Sequence, residues 1–142
     1  MLPVLRVVLS LALVVAPVLA QNTQIPGSGC AGAPFTSAPD ARVGQALSWS
    51  CPICLGTATH LTVIGVPLQA LLPLQPPATC ASSGTCFLAC DPILVIQGAS
   101  SRLPIPADPR LVGACLCAQC ACYDLNFACL SVMGALQICI QP

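Results

Sequence analysis

Two groups of cysteines hold the side chains whose spacing best fits known chemistry. Cys51-Pro52-Ile53-Cys54, with Trp49 just before it, has the form of a thiol–disulfide exchange motif. Such a motif works by setting its first thiol at a helix N-terminus, where the dipole lowers the thiol pKa. Here Leu55-Gly56-Thr57-Ala58-Thr59 follows, which is poor helix sequence. Val66-Pro67, the candidate for a facing proline loop, comes only 13 residues after Cys54 and leaves no room for intervening elements. The second group, Cys115, Cys117, Cys120 and Cys122, has the thiol density that zinc or copper(I) takes. Alternation along a strand puts Cys115 and Cys117 on one face and Cys120 and Cys122 on the other, unless Ala118-Gln119 bulges. Four ligands so divided do not converge on a tetrahedral site, so both groups read as structural bridges.

The remaining residue types exclude most catalytic classes. His60 is the only histidine, expected as a solvated residue at a strand start, and there is no glutamate, lysine or Gly-x-Ser-x-Gly elbow. Asp40, Asp91, Asp108 and Asp124 stand singly and carry no calcium-loop signature. Trp49 and Tyr123 fit core or rim positions better than ligand platforms. No catalytic residue, cofactor site or metal site is assigned. Arg42, Arg102 and Arg110 are too scattered to neutralise a phosphate backbone, which excludes nucleic acid.

Residues 1–20 read as a signal peptide. Arg6 supplies a short positive region, Val7 to Val15 is an apolar stretch too short to span a bilayer, and Val18-Leu19-Ala20 ends in small residues ahead of Gln21. A retained anchor is the competing reading, with Arg6 snorkelling. Cleavage leaves no transmembrane span and a chain of 122 residues, which is one domain's worth. All twelve cysteines fall in that part: Cys30, Cys51, Cys54, Cys80, Cys86, Cys90, Cys115, Cys117, Cys120, Cys122, Cys129 and Cys139. An even number at this density in an exported chain predicts a framework of up to six disulfides, whose connectivity spacing leaves open.

The elements that must position these cysteines are short and punctuated. Residues 21–43 are polar and broken by glycine and proline, an irregular lead-in tied down by Cys30. From Gly44 the period becomes two, with Leu47, Trp49, Cys51, Ile53 and Leu55 on one face and Pro52 at an edge or bulge. His60 to Val66 is a second strand, predicted to form a hairpin with the first across Gly56 to Thr59. Leu68 to Leu74 is extended or irregular between prolines, and a turn at Ser82-Ser83-Gly84 precedes strands over Cys86 to Cys90 and Ile93 to Gln97. Leu103 to Pro106 is extended, Asp108-Pro109 starts a turn, and the four-cysteine run follows as a strand, with a short helix over Leu111 to Ala121 as the alternative. In the last strand Leu136, Ile138 and Ile140 share one face. The prediction is an all-β fold over 44–142, an antiparallel, disulfide-stapled β-sandwich of jelly-roll or Ig-like type.

Several pieces in their order carry a resemblance. They are Gly29-Cys30-Ala31-Gly32, Ala41 to Leu47, Gly84-Thr85-Cys86-Phe87-Leu88, Ile105 to Gly113 with Gln119 and Asp124 beyond, and Ser131 followed by Ala135 to Ile140. Together they resemble an exported C-terminal module of planctomycete-type bacteria, itself of unknown function. The resemblance implies an antiparallel β-sandwich and a bond between Cys30 and Cys86, and brings no catalytic residue. This chain differs from that family in its many extra cysteines.

These readings predict a non-catalytic secreted or cell-surface module, in the bacterial periplasm or outside the cell. Its partner would be an envelope protein or polysaccharide that the sequence does not name. The competing expectation is a secreted thiol–disulfide redox protein or a metal-thiolate protein.

Overall fold

The computed structural model describes residues 22–56, 58–75, 78–80 and 84–142. The leader expected at 1–20, and Thr57, Pro76, Pro77, Ser82 and Ser83 among the predicted turn and breaker residues, lie outside the described residues.

The chain folds as β1 (Thr23–Gln24), β2 (Gly29–Cys30), β3 (Ala41–Arg42), β4 (Ala46–Ser50), β5 (Thr59–Leu74), β6 (Cys86–Gln97), β7 (Ser100–Pro104), β8 (Cys115–Asp124), β9 (Cys129–Val132) and β10 (Leu136–Gln141). A 3-10 turn at Pro109–Leu111 is the one helical element among the described residues. The four-cysteine run is therefore strand, beginning at Cys115, and not the alternative helix. Pairing between these strands is antiparallel except for β3, which runs parallel to β10.

β8 lies near the middle of the main sheet because it is apolar on both faces. β5 follows one edge of it, from Thr59 opposite Tyr123 to Gly65 opposite Cys117. β10 and β9 share the other edge, β10 along residues 115–118 and β9 along residues 121–124. Beyond β5 come β6 and then β2, and the sheet curls into a half-barrel. β4 and β7 form a separate two-stranded sheet that covers one face, so the second layer of the sandwich is much the smaller. Leu47 and Trp49 of β4 pack there against Ile64, Ala118, Leu136, Ile138 and Ile140, the largest core cluster.

This packing replaces the predicted hairpin between the first two long strands. Both edges of the start of β5 are occupied, by β8 and β6, and β4 pairs with β7 instead, Leu47 opposite Leu103. β5 and β6 are also longer and more continuous than predicted, and run through prolines. Past Gly65 β5 no longer has β8 beside it, so Pro67 and Pro73 fall where a ladder bond is not required; Pro92 of β6 has no strand on its outer side among the described residues. The lead-in likewise contributes β1, β2 and β3, two residues each, as margins of the main sheet.

The curl is built at register shifts after Ile64 and after Pro67. At the first, the Asp91 carbonyl comes so close to Gly65 that any Cβ would overlap it. At the second, the partner of Ala89 is skipped, since Pro67 faces Cys90 and Leu72 faces Leu88. The Ala89 N–H donates instead to Oε1 of Gln119 at 2.9 Å. The Nε2 of the same fully buried side chain donates to the carbonyls of Phe87 and Met133, each at 2.9 Å.

On the other face of β8, Trp49 Nε1 donates to Thr62 Oγ1 at 3.0 Å, a buried bond that joins the two layers. Trp49→Phe keeps most of the packing and loses this bond. It is expected to lower the unfolding free energy by about 1–2 kcal/mol, measured by denaturant titration, with the urea m-value unchanged.

Candidate functional site

Six bridges use all twelve cysteines: Cys30–Cys86, Cys51–Cys120, Cys54–Cys122, Cys80–Cys129, Cys90–Cys117 and Cys115–Cys139. The exchange-like pair Cys51 and Cys54 is not bonded internally. Each member reaches β8 separately, so the two bridges clamp the 51–56 loop to the end of that strand. The register of β8 against both β5 and β10 advances without a break, so no bulge occurs at Ala118-Gln119. Cys115 and Cys117 accordingly share one face with Gln119 and Ala121, while Cys120 and Cys122 share the other with Ala118. The four sulfurs leave in two directions to four different partners. Among the described residues, no group of three or more His, Cys, Asp or Glu side chains is placed to hold a metal ion.

His60 differs from its expectation. It is half-buried, and its Nε2 accepts the backbone N–H of Cys54 at 3.1 Å. The histidine thus holds the clamped loop, and the geometry fits the tautomer protonated on Nδ1. Nothing in the sequence paired residue 60 with residue 54, since the bond depends on where the two bridges bring the loop.

The clamped loop forms one wall of a groove of about 390 Å³. Ile53 and Leu55 stand on that wall at 86% and 88% exposed, while Cys54 between them is buried. The rest of its lining includes Ala33, Pro34, Met133 and the half-cystines Cys30, Cys80 and Cys122, the last bonded to Cys54 of the loop. Among the described residues its polar side chains are Ser131 and Asp124. Asp124 is committed to its own turn, its Oδ1 accepting the N–H of Asn126 at 2.8 Å and of Phe127 at 3.3 Å. That turn leaves Leu125 and Phe127 exposed at the same end of β8. Among the described residues the groove's side chains are mostly apolar, and no hydrogen-bonded acid–base or nucleophile–base pair lines it.

The one ion pair among the described residues lies elsewhere. Arg110 Nη2 is 2.8 Å from Asp108 Oδ2, and Asp108 Oδ1 also accepts the Arg110 N–H at 3.0 Å, capping the 3-10 turn. The guanidinium bond, then the backbone bond, lower the Asp108 carboxyl below its ordinary range, and the carboxylate raises Arg110. Both groups are at the surface, so the pair defines the turn and adds little to stability.

No helix among the described residues is long and apolar enough to cross a membrane. No protein-family model matches the sequence, and comparison with curated proteins and with solved structures returns no match.

Proposed function

We propose that the chain is a non-catalytic module of the cell surface or extracellular space, a structural or binding component whose shape is held by its disulfides. The observation that carries this reading is the use of every cysteine in a bridge between distant parts of the chain. A framework of this density belongs to proteins that fold where thiols are oxidised. The groove beside the 51–56 loop fits contact with an envelope protein or polysaccharide better than chemistry, since its polar side chains among the described residues are two and Asp124 is engaged by its turn. The likeness in residue order to an exported bacterial module favours export, and that module brings no role of its own.

Intact mass spectrometry of the natively purified protein, before and after reduction, tests the reading. The expected result is a gain of twelve hydrogens on reduction, with no metal in the native ion. Alkylatable thiols at Cys51 and Cys54 would instead favour a thiol–disulfide redox protein, and stoichiometric zinc or copper a metal-thiolate protein.

A further inference from the structure

The six bridges are not alike in how they join the chain. Four connect elements or loops that are not register partners, with Cα separations of 4.9–5.6 Å. Two join residues directly opposite each other on adjacent antiparallel strands: Cys30 with Cys86, and Cys115 with Cys139. Their Cα separations are 3.9 and 4.0 Å. Directly opposed residues in a sheet carry their Cβ atoms about 4.5–5.5 Å apart, whereas a relaxed disulfide has them about 3.8 Å apart. A bridge at such a position draws the strands together against the ladder, and a bond so placed is more readily reduced.

Access then separates the two. Cys86 is fully buried and Cys30 is 6% exposed, its Sγ accepting the Val132 N–H at 3.2 Å. Cys115 is half-buried at the start of β8, directly after the exposed residues Val112, Gly113 and Ala114. The chain bulges there: Ile140 donates to the Ala114 carbonyl at 2.9 Å but accepts from the Gly113 N–H at 2.8 Å, so two residues oppose one. Gly113 takes φ +85°, and the space a Cβ would fill beside it is open to 4 Å. The Cys115–Cys139 bridge also spans 24 residues, the shortest separation of the six, so it restrains the unfolded chain least.

We propose that Cys115–Cys139 is a site of thiol–disulfide exchange whose co-substrate is a dithiol, and that it opens while the other five bridges stay closed. The inference rests on the reading of the chain as fully oxidised. A thiolate of the dithiol attacks Cys115 Sγ, forming a mixed disulfide and expelling Cys139 as thiolate. Gln137 Nε2, 3.6 Å from Cys139 Sγ, donates toward that leaving sulfur. The second thiol of the co-substrate, as thiolate, then attacks its own sulfur in the mixed disulfide and releases Cys115. Two electrons pass to the protein, both released thiolates take up protons, and the dithiol closes to a disulfide. The pairing of Leu136 to Cys139 with Ala118 to Cys115 provides a ladder that keeps β10 in place after the bond is broken.

Native protein is titrated with dithiothreitol, quenched with an alkylating agent and mapped by peptide mass spectrometry, with circular dichroism followed in parallel. Cys115 and Cys139 are expected to be labelled together, about tenfold faster than any other cysteine, with the β signal intact. A Cys115→Ser/Cys139→Ser variant is expected to fold and to lack this early phase. Earlier labelling of Cys30 and Cys86 or of any other pair, labelling of all twelve at once with loss of structure, or an early phase that persists in the variant would overturn the proposal. Thiols alkylated before any reductant is added would instead overturn the fully oxidised reading beneath it.

Discussion

Gln119→Leu is expected to lower stability by about 3–5 kcal/mol, although leucine fits the apolar run of β8 better than glutamine does by hydropathy alone. The shift after Pro67 takes Ala89 out of the β5 ladder, and Gln119 Oε1 receives the stranded N–H. The amide nitrogen satisfies Phe87 and Met133 from the other side. One side chain thus serves the backbone of β6 and of the segment between β9 and β10, at a position with no water contact. Leucine would leave the Ala89 N–H and the bonds to two carbonyls unmade in the interior, each at about 1–3 kcal/mol before relaxation. Guanidinium unfolding of wild type and variant measures the difference. A loss under about 1 kcal/mol would mean that these groups find other partners, and that the bulge does not depend on residue 119.

The role of Gln119 also marks where reading the sequence stops. Period-two alternation located β4, β8 and β10 because each buries one or both faces, and the predicted common face of Leu136, Ile138 and Ile140 lies in the main core cluster. The division of Cys115 and Cys117 from Cys120 and Cys122 also follows from alternation, and holds because no bulge intervenes. Neighbours in the sheet were harder to read. Adjacent strands predict a hairpin between β4 and β5, but the edges of β5 are taken by β6 and β8, elements far along the chain. Prolines predict strand ends in β5 and β6, whereas each stays opposite its β5 or β6 partner and falls where no strand lies on the other edge among the described residues. The groove was illegible for the same reason. Ile53 and Leu55 follow the alternating pattern of a strand face, yet they belong to a loop that leaves the sheet after Ser50 and is turned outward by bonds to Cys120 and Cys122. Connectivity, not local propensity, makes that wall, and spacing alone does not determine connectivity.

The two bridges that hold this loop should behave as one device, and removing both is expected to exceed the sum of removing each. Cys51–Cys120 and Cys54–Cys122 close nearly the same loop, with separations of 69 and 68 residues. On the chain-entropy account, closing a loop of that size stabilises by about 4 kcal/mol, whichever bridge does it. Once one bond is present, the other only closes the short ring running from Cys51 to Cys54 and from Cys120 to Cys122, which adds about 2 kcal/mol. Cys51→Ala/Cys120→Ala and Cys54→Ala/Cys122→Ala are therefore each expected to cost about 2 kcal/mol, and the four-site variant about 6 kcal/mol, a coupling of about 2 kcal/mol. Structure should follow the same pattern. With one bridge left, the Cys54 N–H remains close to His60 Nε2 and stays protected from hydrogen exchange; with neither, the loop is released, the bond to His60 is lost and the groove loses the wall that carries Ile53 and Leu55. Denaturant unfolding of the three variants, with exchange measured at residues 51–56, provides both readouts. Strictly additive losses, or exchange protection lost with the first bridge, would show that the two bonds act separately and that the loop is not a single clamped unit.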